Sequence, residues 1–164
     1  MPVYKTNPVE GAAQGDNAPL ISWSESLAIG IELIDSQHKQ LVSLTNELYH
    51  ACMLGGEELD ATFKETMSRM VEYVHFHFGE EQKMLQRVKY PTYTEHKALH
   101  DELIKTVLES TKNYGSGRRF VPNNFVRYLR DWIVGHIGHH DKIYAAYIVD
   151  QMKKGLLTEK DITG

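Results

Sequence analysis

The stretch that decides the fold spans residues 74–103 and reads VHFHFGEEQKMLQRVKYPTYTEHKALHDEL. Apolar residues recur at helical spacing on both sides of Pro91, a residue that cannot continue a helix. The stretch is therefore predicted to contain the end of one helix and the start of the next. Thr92 and Glu95 have the spacing of a capping box, which predicts that the later helix begins there.

Outward from this hairpin, turn and cap residues divide the chain into four predicted helices. Gly55-Gly56 is expected to end the first helix, Asp60 to cap the second and Pro122 to open the fourth. Long helices with short connections indicate an all-α, up-down-up-down four-helix bundle. The predicted helices cover residues 32–54, 60–88, 92–114 and 122–154.

Length and composition indicate one globular domain. The chain has 164 residues, of which 41% are hydrophobic and 24% charged, as is ordinary for such a domain. Proline and glycine without periodicity mark the beginning of the chain. We therefore predict a flexible N-terminal arm over residues 1–20, the bundle over residues 21–154 and a C-terminal tail over residues 155–164.

Charge and hydropathy argue against several classes of partner. The net charge is -4 and no basic run is present, so nucleic acid is not an expected partner. No apolar stretch is long enough to span a bilayer, so membrane insertion is not expected either. The single cysteine, Cys52, cannot form an internal disulfide, and the first twenty residues lack the apolar core of a signal peptide. These features predict a cytoplasmic location.

The nine histidines are the unusual part of the composition. Each helical residue advances by about 100°, so the apolar residues of each helix define its inward face. A single inward histidine is most often a core residue bonded to a carbonyl. Several together with a carboxylate point to a metal, because buried polar groups cost free energy unless they are paired. The inward set is His38, His77, Glu81, His96, His100 and His136.

The donor set restricts the metal. Imidazole and carboxylate without thiolate suit iron, manganese or zinc, and a single tetrahedral zinc needs only four ligands. Two metal ions bridged by carboxylate fit better. On an ideal helix Asp141 lies about 140° round from His136, so this geometry favours His140, four residues after His136, as a further ligand.

In order and spacing, these residues resemble the hemerythrin family, which includes the bacteriohemerythrins and the hemerythrin-like HHE cation-binding domains. The resemblance covers roughly residues 21–147 and is highly specific. It is carried by Trp23, Gly30-Ile31, Ile34-Asp35-Ser36-Gln37-His38-Lys39, His77-Phe78-Gly79-Glu80-Glu81, Met84, Tyr90-Pro91, His96-Lys97-Ala98-Leu99-His100, Trp132-Ile133-Val134-Gly135-His136-Ile137 and Asp141.

The resemblance implies a centre of two iron ions (Fe2+/Fe3+) with an oxo or hydroxo bridge and dioxygen as its ligand. The three-histidine iron would be bound by His96, His100 and His136, and the other iron by His38 and His77. Glu81 and Asp141 would bridge the two ions.

The implied function is reversible dioxygen binding for transport, storage or delivery, and not enzymatic turnover. The open position for dioxygen would lie on the two-histidine iron. Because the family pattern selects Asp141 over His140, we expect a local π-type turn near Gly138. Ile133 matches a position where the family has an apolar wall over the oxygen site, although plain core packing explains it equally well. His139 and His140 are then expected to be surface residues or hydrogen-bond donors behind the ligands.

Other uses of the chain stay open at this point. The same site would also serve oxygen, redox or nitric oxide sensing, or iron storage. A ferritin-like oxidase would use Glu-x-x-His motifs, but Glu47/His50 and Glu72/His75 fall on the polar helix faces. A metal-free interaction module leaves the inward histidines unexplained. A protein recipient of oxygen is possible, and the chain is either a monomer or a homo-oligomer.

Overall fold

A computed structural model describes residues 18–118 and 120–164. These residues form helices and no strand, which confirms the predicted all-α class. Of the predicted N-terminal arm, residues 1–17 lie outside the described part. The helices are α1 (Glu32–Ala51), α2 (Gly56–Arg87), α3 (Tyr93–Gly115), α4 (Pro122–Gly135), α5 (Lys142–Lys153) and α6 (Glu159–Thr163), with a π-helical turn, His136–Asp141, between α4 and α5.

Four rods make up the bundle. The segments α4, the π turn and α5 follow one another without a break and act as the fourth rod, as the prediction for residues 122–154 requires. Helix α1 packs against α2 and α4, and α2 packs against α3. Pro122 occupies the first turn of α4, as predicted. No helix in the described part is both long and apolar enough to cross a membrane.

Two apolar clusters fill the interior and leave a polar layer between them. The larger cluster includes Leu41, Phe78 and Ile137, and the smaller one includes Ile34 and Tyr144. Along α1, α2 and the fourth rod, respectively, His38, Glu81 and Asp141 each fall between a residue of the larger cluster and one of the smaller. The bundle thus surrounds its polar residues with hydrocarbon at both ends, where unpaired polar groups are costly.

Two predicted helix boundaries are wrong. Helix α1 ends at Ala51, and Gly55 is the N-cap of α2, which begins at Gly56 rather than at Asp60. The reason is backbone geometry: Gly56 has φ of 54°, which glycine adopts without strain. The chain therefore turns directly into α2. Asp60 lies inside this helix, where it accepts a hydrogen bond of 2.8 Å from Lys64 Nζ.

The predicted capping box of α3 is also wrong. Helix α3 begins at Tyr93 with Thr92 as its N-cap, but Thr92 makes no capping hydrogen bond through its side chain. A capping box is present instead at α6, where the backbone N–H of Thr158 donates to Asp161 Oδ2 at 2.7 Å. The segment after α5 is anchored to α2, because the Arg87 guanidinium donates to the carbonyl of Ile162 at 2.8 Å and the Ile162 side chain is buried.

Candidate metal centre

Side chains from all four rods meet in the polar layer. Each member is at most 5% exposed, so the inward direction predicted for the histidines and for Glu81 is what the structure has. Helix α1 supplies one member, α2 two, α3 two and the π turn two. They are His38, His77, Glu81, His96, His100, His136 and Asp141.

The π turn brings Asp141 into the layer. Residues five apart lie about 140° apart on an α-helix, but i→i+5 hydrogen bonding moves them toward one face. The π turn begins at His136, contains Gly138 and ends at Asp141, so the expected π-type turn is confirmed. The helical-wheel preference for His140 is wrong. Its side chain is half-buried, and its ring centroid lies 5.4 Å from that of His136, at the edge of the layer.

Three histidines form one half of the layer. Their Nε2 atoms converge: His100 Nε2 lies 2.9 Å from His136 Nε2, and His96 Nε2 lies 2.7 Å from Glu81 Oε1. The other carboxylate completes this half, since Asp141 Oδ1 lies 3.0 Å from His136 Nε2. One ligand atom from each of these five residues lies within 4.8 Å of all the others. Such a group could hold one cation.

Two histidines form the other half. His38 Nε2 lies 3.2 Å from Asp141 Oδ2, and His77 Nε2 lies 3.7 Å from Glu81 Oε2. Each carboxylate therefore divides its oxygens, with Oε1 and Oδ1 toward the three-histidine half and Oε2 and Oδ2 toward the two-histidine half. A carboxylate in this arrangement can bridge two cations, whereas a single ion would leave half of the donors unused.

Unpartnered polar atoms provide a test of whether a metal fits. In the described part of the chain, Asp141 Oδ1 and Oδ2 and both ring nitrogens of His38 have no hydrogen-bond partner of suitable geometry. Each such buried atom costs about 1–3 kcal/mol. Cations between the facing Nε2 and carboxylate atoms would satisfy both oxygens and His38 Nε2. The donors therefore fit a pair of metal ions, and nitrogen with oxygen and no sulfur suits iron, manganese or zinc.

Burial keeps two of the imidazoles, those of His77 and His100, neutral. It lowers the pKa of His77 to about 3, with the neighbouring His38 as the next cause. Burial, followed by the neighbouring His136, also lowers the pKa of His100 well below its ordinary value. Neutral imidazole is the form that binds a metal. These rings are thus held in the ligating state without any change of pH.

The two carboxyl groups respond differently to the same environment. Burial, and then the charge of Asp141, raise the pKa of Glu81. Burial would also raise the pKa of Asp141, but the interactions with His136 and His38 outweigh it and lower that pKa. Two buried carboxylates at close range repel each other, and positive charge between them would relieve that repulsion.

Three residues that support the layer were not predicted from the sequence. Tyr144 is fully buried and donates its hydroxyl to Glu81 Oε2 at 2.9 Å. Gln37 Oε1 lies 2.9 Å from His77 Nδ1, and Gln82 Nε2 lies 3.4 Å from His100 Nδ1. A weak signal existed for Tyr144, which follows Asp141 by three residues and so shares its side of the fourth rod. Gln37 adjoins a ligand candidate but contacts a different helix, which spacing alone does not indicate.

Aromatic rings cover two of the imidazoles. Phe78 stacks on His100 with ring centroids 3.8 Å apart and planes 6° apart. Trp132 stacks on His136 at 4.2 Å and 11°. These rings wall the three-histidine half from solvent, as core residues would. Ile133 is buried in the larger apolar cluster, and its role as an oxygen-pocket wall stays a prediction.

The ferritin-like alternative finds no support in the layer. Glu72 and His75 are exposed, and Glu47 forms an ion pair with Arg69. His50 is partly exposed. None of these four motif residues belongs to a metal-competent group of the described residues. The alternative motifs lie on the outer surface, as their polar faces predicted.

Fold and layer together define the class: this is an α-helical bundle with a histidine–carboxylate metal-binding centre in its core. The model of the hemerythrin HHE cation-binding domain matches residues 29–148. The chain therefore belongs to the hemerythrin family.

Individual members of the family are similar to this chain over most of its length. A bacteriohemerythrin of Methylococcus capsulatus is 30% identical over 131 residues, which cover 76% of this chain and 94% of the relative. A bacteriohemerythrin of Stenotrophomonas maltophilia is 30% identical over 137 residues, which are 84% of each chain. A crystal structure of wild-type hemerythrin superimposes with a TM-score of 0.72 at 27% identity, covering 77% of this chain and 96% of that one.

Proposed function

We propose that this protein binds dioxygen reversibly at a centre of two iron ions, as an oxygen carrier, store or delivery protein. The division of carboxylate oxygens between the two halves of the layer carries the proposal. Glu81 and Asp141 each turn one oxygen toward the three histidines and the other toward the two. Membership of the hemerythrin family supports iron as the metal.

The residues divide into two unequal sets. One iron would be held by His96, His100 and His136, and the other by His38 and His77, with both carboxylates shared. The second set has one imidazole fewer, so it would leave room for a further ligand. A pair of ferrous ions supplies the two electrons that dioxygen needs in order to bind as a reduced species.

The remaining residues keep the site dry and oriented. Phe78 and Trp132 cover two of the imidazoles, and Tyr144 orients the carboxylate of Glu81, which would be shared by the two ions. A pocket that excludes water slows side reactions of a reactive ligand. These features favour reversible binding over turnover, and we propose no enzymatic role. A cytoplasmic location and a protein recipient of the oxygen are parts of the same proposal.

An absorption spectrum with metal analysis tests the proposal. We expect two irons per chain and visible absorption bands that appear when oxygen is admitted to the reduced protein and vanish when oxygen is removed. Glu72→Gln, on an exposed surface, is the matched control for Glu81→Gln, which should lose bound iron. A colourless protein with a single zinc ion would overturn the proposal. Bands that form but do not reverse would favour sensing or iron storage.

A further inference from the structure

One hydrogen bond at the two-histidine half joins helices α1 and α2. Gln37 Oε1 on α1 lies 2.9 Å from His77 Nδ1 on α2. Both side chains are buried, with Gln37 only 7% exposed. The main chain at the same residue is tied to α2 as well, since the Tyr73 hydroxyl donates to the Gln37 carbonyl at 3.3 Å. Gln37 is therefore tied to α2 through both its side chain and its main chain.

This contact selects one tautomer of His77. The amide oxygen accepts, so Nδ1 must carry the proton, and the lone pair is then on Nε2. That atom faces Glu81 Oε2 across 3.7 Å, inside the two-histidine half. Because only the Nδ1-protonated ring offers Nε2 to a cation, the bond to Gln37 prepares His77 as a ligand before any metal arrives.

The charge of the partner also matters. Metal-bound histidines often donate to a carboxylate, which makes the ring more basic, but a glutamine side chain is neutral. A less basic imidazole stabilises the higher oxidation state of a metal less strongly. Among the described residues, the hydrogen-bond partner of His77 Nδ1 is the neutral amide of Gln37, whereas the carboxylate of Glu81 lies on the Nε2 side.

We infer that Gln37 is a positioning residue that fixes the tautomer of His77 and, by its neutral amide, favours the reduced state of the two-histidine metal. The second half of this inference rests on the proposed oxygen-binding function. The first half concerns only the ring and its affinity for a metal.

Three variants separate these effects. Gln37→Leu removes the acceptor, Gln37→Glu keeps an acceptor but adds a charge, and Gln40→Glu puts the same charge at an exposed position of α1 as a control. Nitrogen NMR of labelled histidine reports the His77 tautomer in the metal-free and the zinc-loaded protein. Competition with a chelator gives the zinc affinity, and redox titration of the iron-loaded protein gives the potential.

Clear outcomes follow for each variant. In Gln37→Leu we expect mixed His77 tautomers and a zinc affinity about 10- to 100-fold lower. In Gln37→Glu we expect the tautomer to persist, the potential to become more negative and autoxidation to quicken. Gln40→Glu should match the wild type.

Other outcomes would overturn the inference. An unchanged tautomer and affinity in Gln37→Leu would refute the positioning role, and an unchanged potential in Gln37→Glu would refute the tuning role. If Gln37→Leu does not fold, the His77 tautomer and the redox potential measured in Gln37→Glu still test the two roles of Gln37. Failure of wild-type protein to release oxygen would refute the proposed function while leaving the tautomer and zinc results valid.

Discussion

Replacing Tyr144 by phenylalanine should weaken metal binding without disturbing the bundle. The substitution removes one buried oxygen, which donates to Glu81 Oε2 at 2.9 Å, and leaves the ring packing intact. That carboxylate oxygen then has only the distant His77 and His38 nitrogens, at 3.7 and 3.9 Å, as ion-pair partners among the residues described. Glu81 would thus lose its one close donor on that side.

The magnitude follows from the charge of the acceptor. With metal bound, Glu81 is ionised, and a hydrogen bond to a charged group is worth about 1.5–3 kcal/mol. Without metal, burial and then Asp141 raise the pKa of Glu81, so the carboxyl is more readily neutral and the bond is worth only about 0.5–1.5 kcal/mol. The difference of about 1–1.5 kcal/mol lowers metal affinity about 5- to 12-fold.

Chelator competition measures that affinity, and thermal unfolding of the loaded protein should show Tm lower by about 3–12 °C. Tyr147→Phe is the matched control, because its hydroxyl makes only two bonds of 3.3 Å, to the carbonyls of Val88 and Lys89. If Tyr144→Phe lowers affinity no more than Tyr147→Phe does, the reasoning about Glu81 is refuted.

Three further predictions concern the π turn, pH and the pocket wall. Deleting the exposed Gly138 should convert the π turn to α-helix. Asp141 would then follow His136 by four positions and lie about 40° from it around the helix, so the protein should still bind its metal. Elemental analysis measures the metal per chain, and a loss of metal would contradict this prediction. The metal-free protein should lose stability as pH falls from about 6.5 toward 3. Burial lowers the pKa of His77 to about 3 and also lowers the pKa of His100, so the unfolded chain binds more protons in this range, and each ring adds a slope of up to about 1.4 kcal/mol per pH unit. Denaturant titrations at several pH values measure this, and a flat profile would contradict it. Ile133→Thr should speed autoxidation, followed by loss of the oxygen-dependent absorption, whereas the exposed neighbour in Val134→Thr should leave the rate unchanged; equal rates would remove the wall role.

Local features of the chain were enough to predict most of the fold. Periodicity placed the rods, and Pro122 and Thr92 marked two helix starts correctly. The wrong predictions concern the start of α2 and the capping box of α3, where the backbone begins the helix without a side-chain cap. Gly56 adopts a positive φ and opens α2 early, and Thr92 caps by position without a side-chain bond.

The π turn shows how pattern and geometry disagree. An ideal helix favours His140 as a ligand, whereas the family pattern selects Asp141, and the structure has Asp141 in the layer. A regular helix would have rotated that carboxylate away from the histidines. No local preference of the residues after His136 indicates the wider turn, because its benefit comes from groups on the other rods.

By itself, the sequence determined which residues point inward, since a helix repeats every 3.6 residues and its apolar stripe marks the buried side. It thereby determined the five histidines and Glu81 of the layer. Only the tertiary structure decided which atoms face each other: the split of carboxylate oxygens between the halves, the bond from Gln37 to His77 and the bond from Tyr144 to Glu81. These contacts join different rods, and their distances depend on how the rods pack, which the periodicity of one rod does not specify.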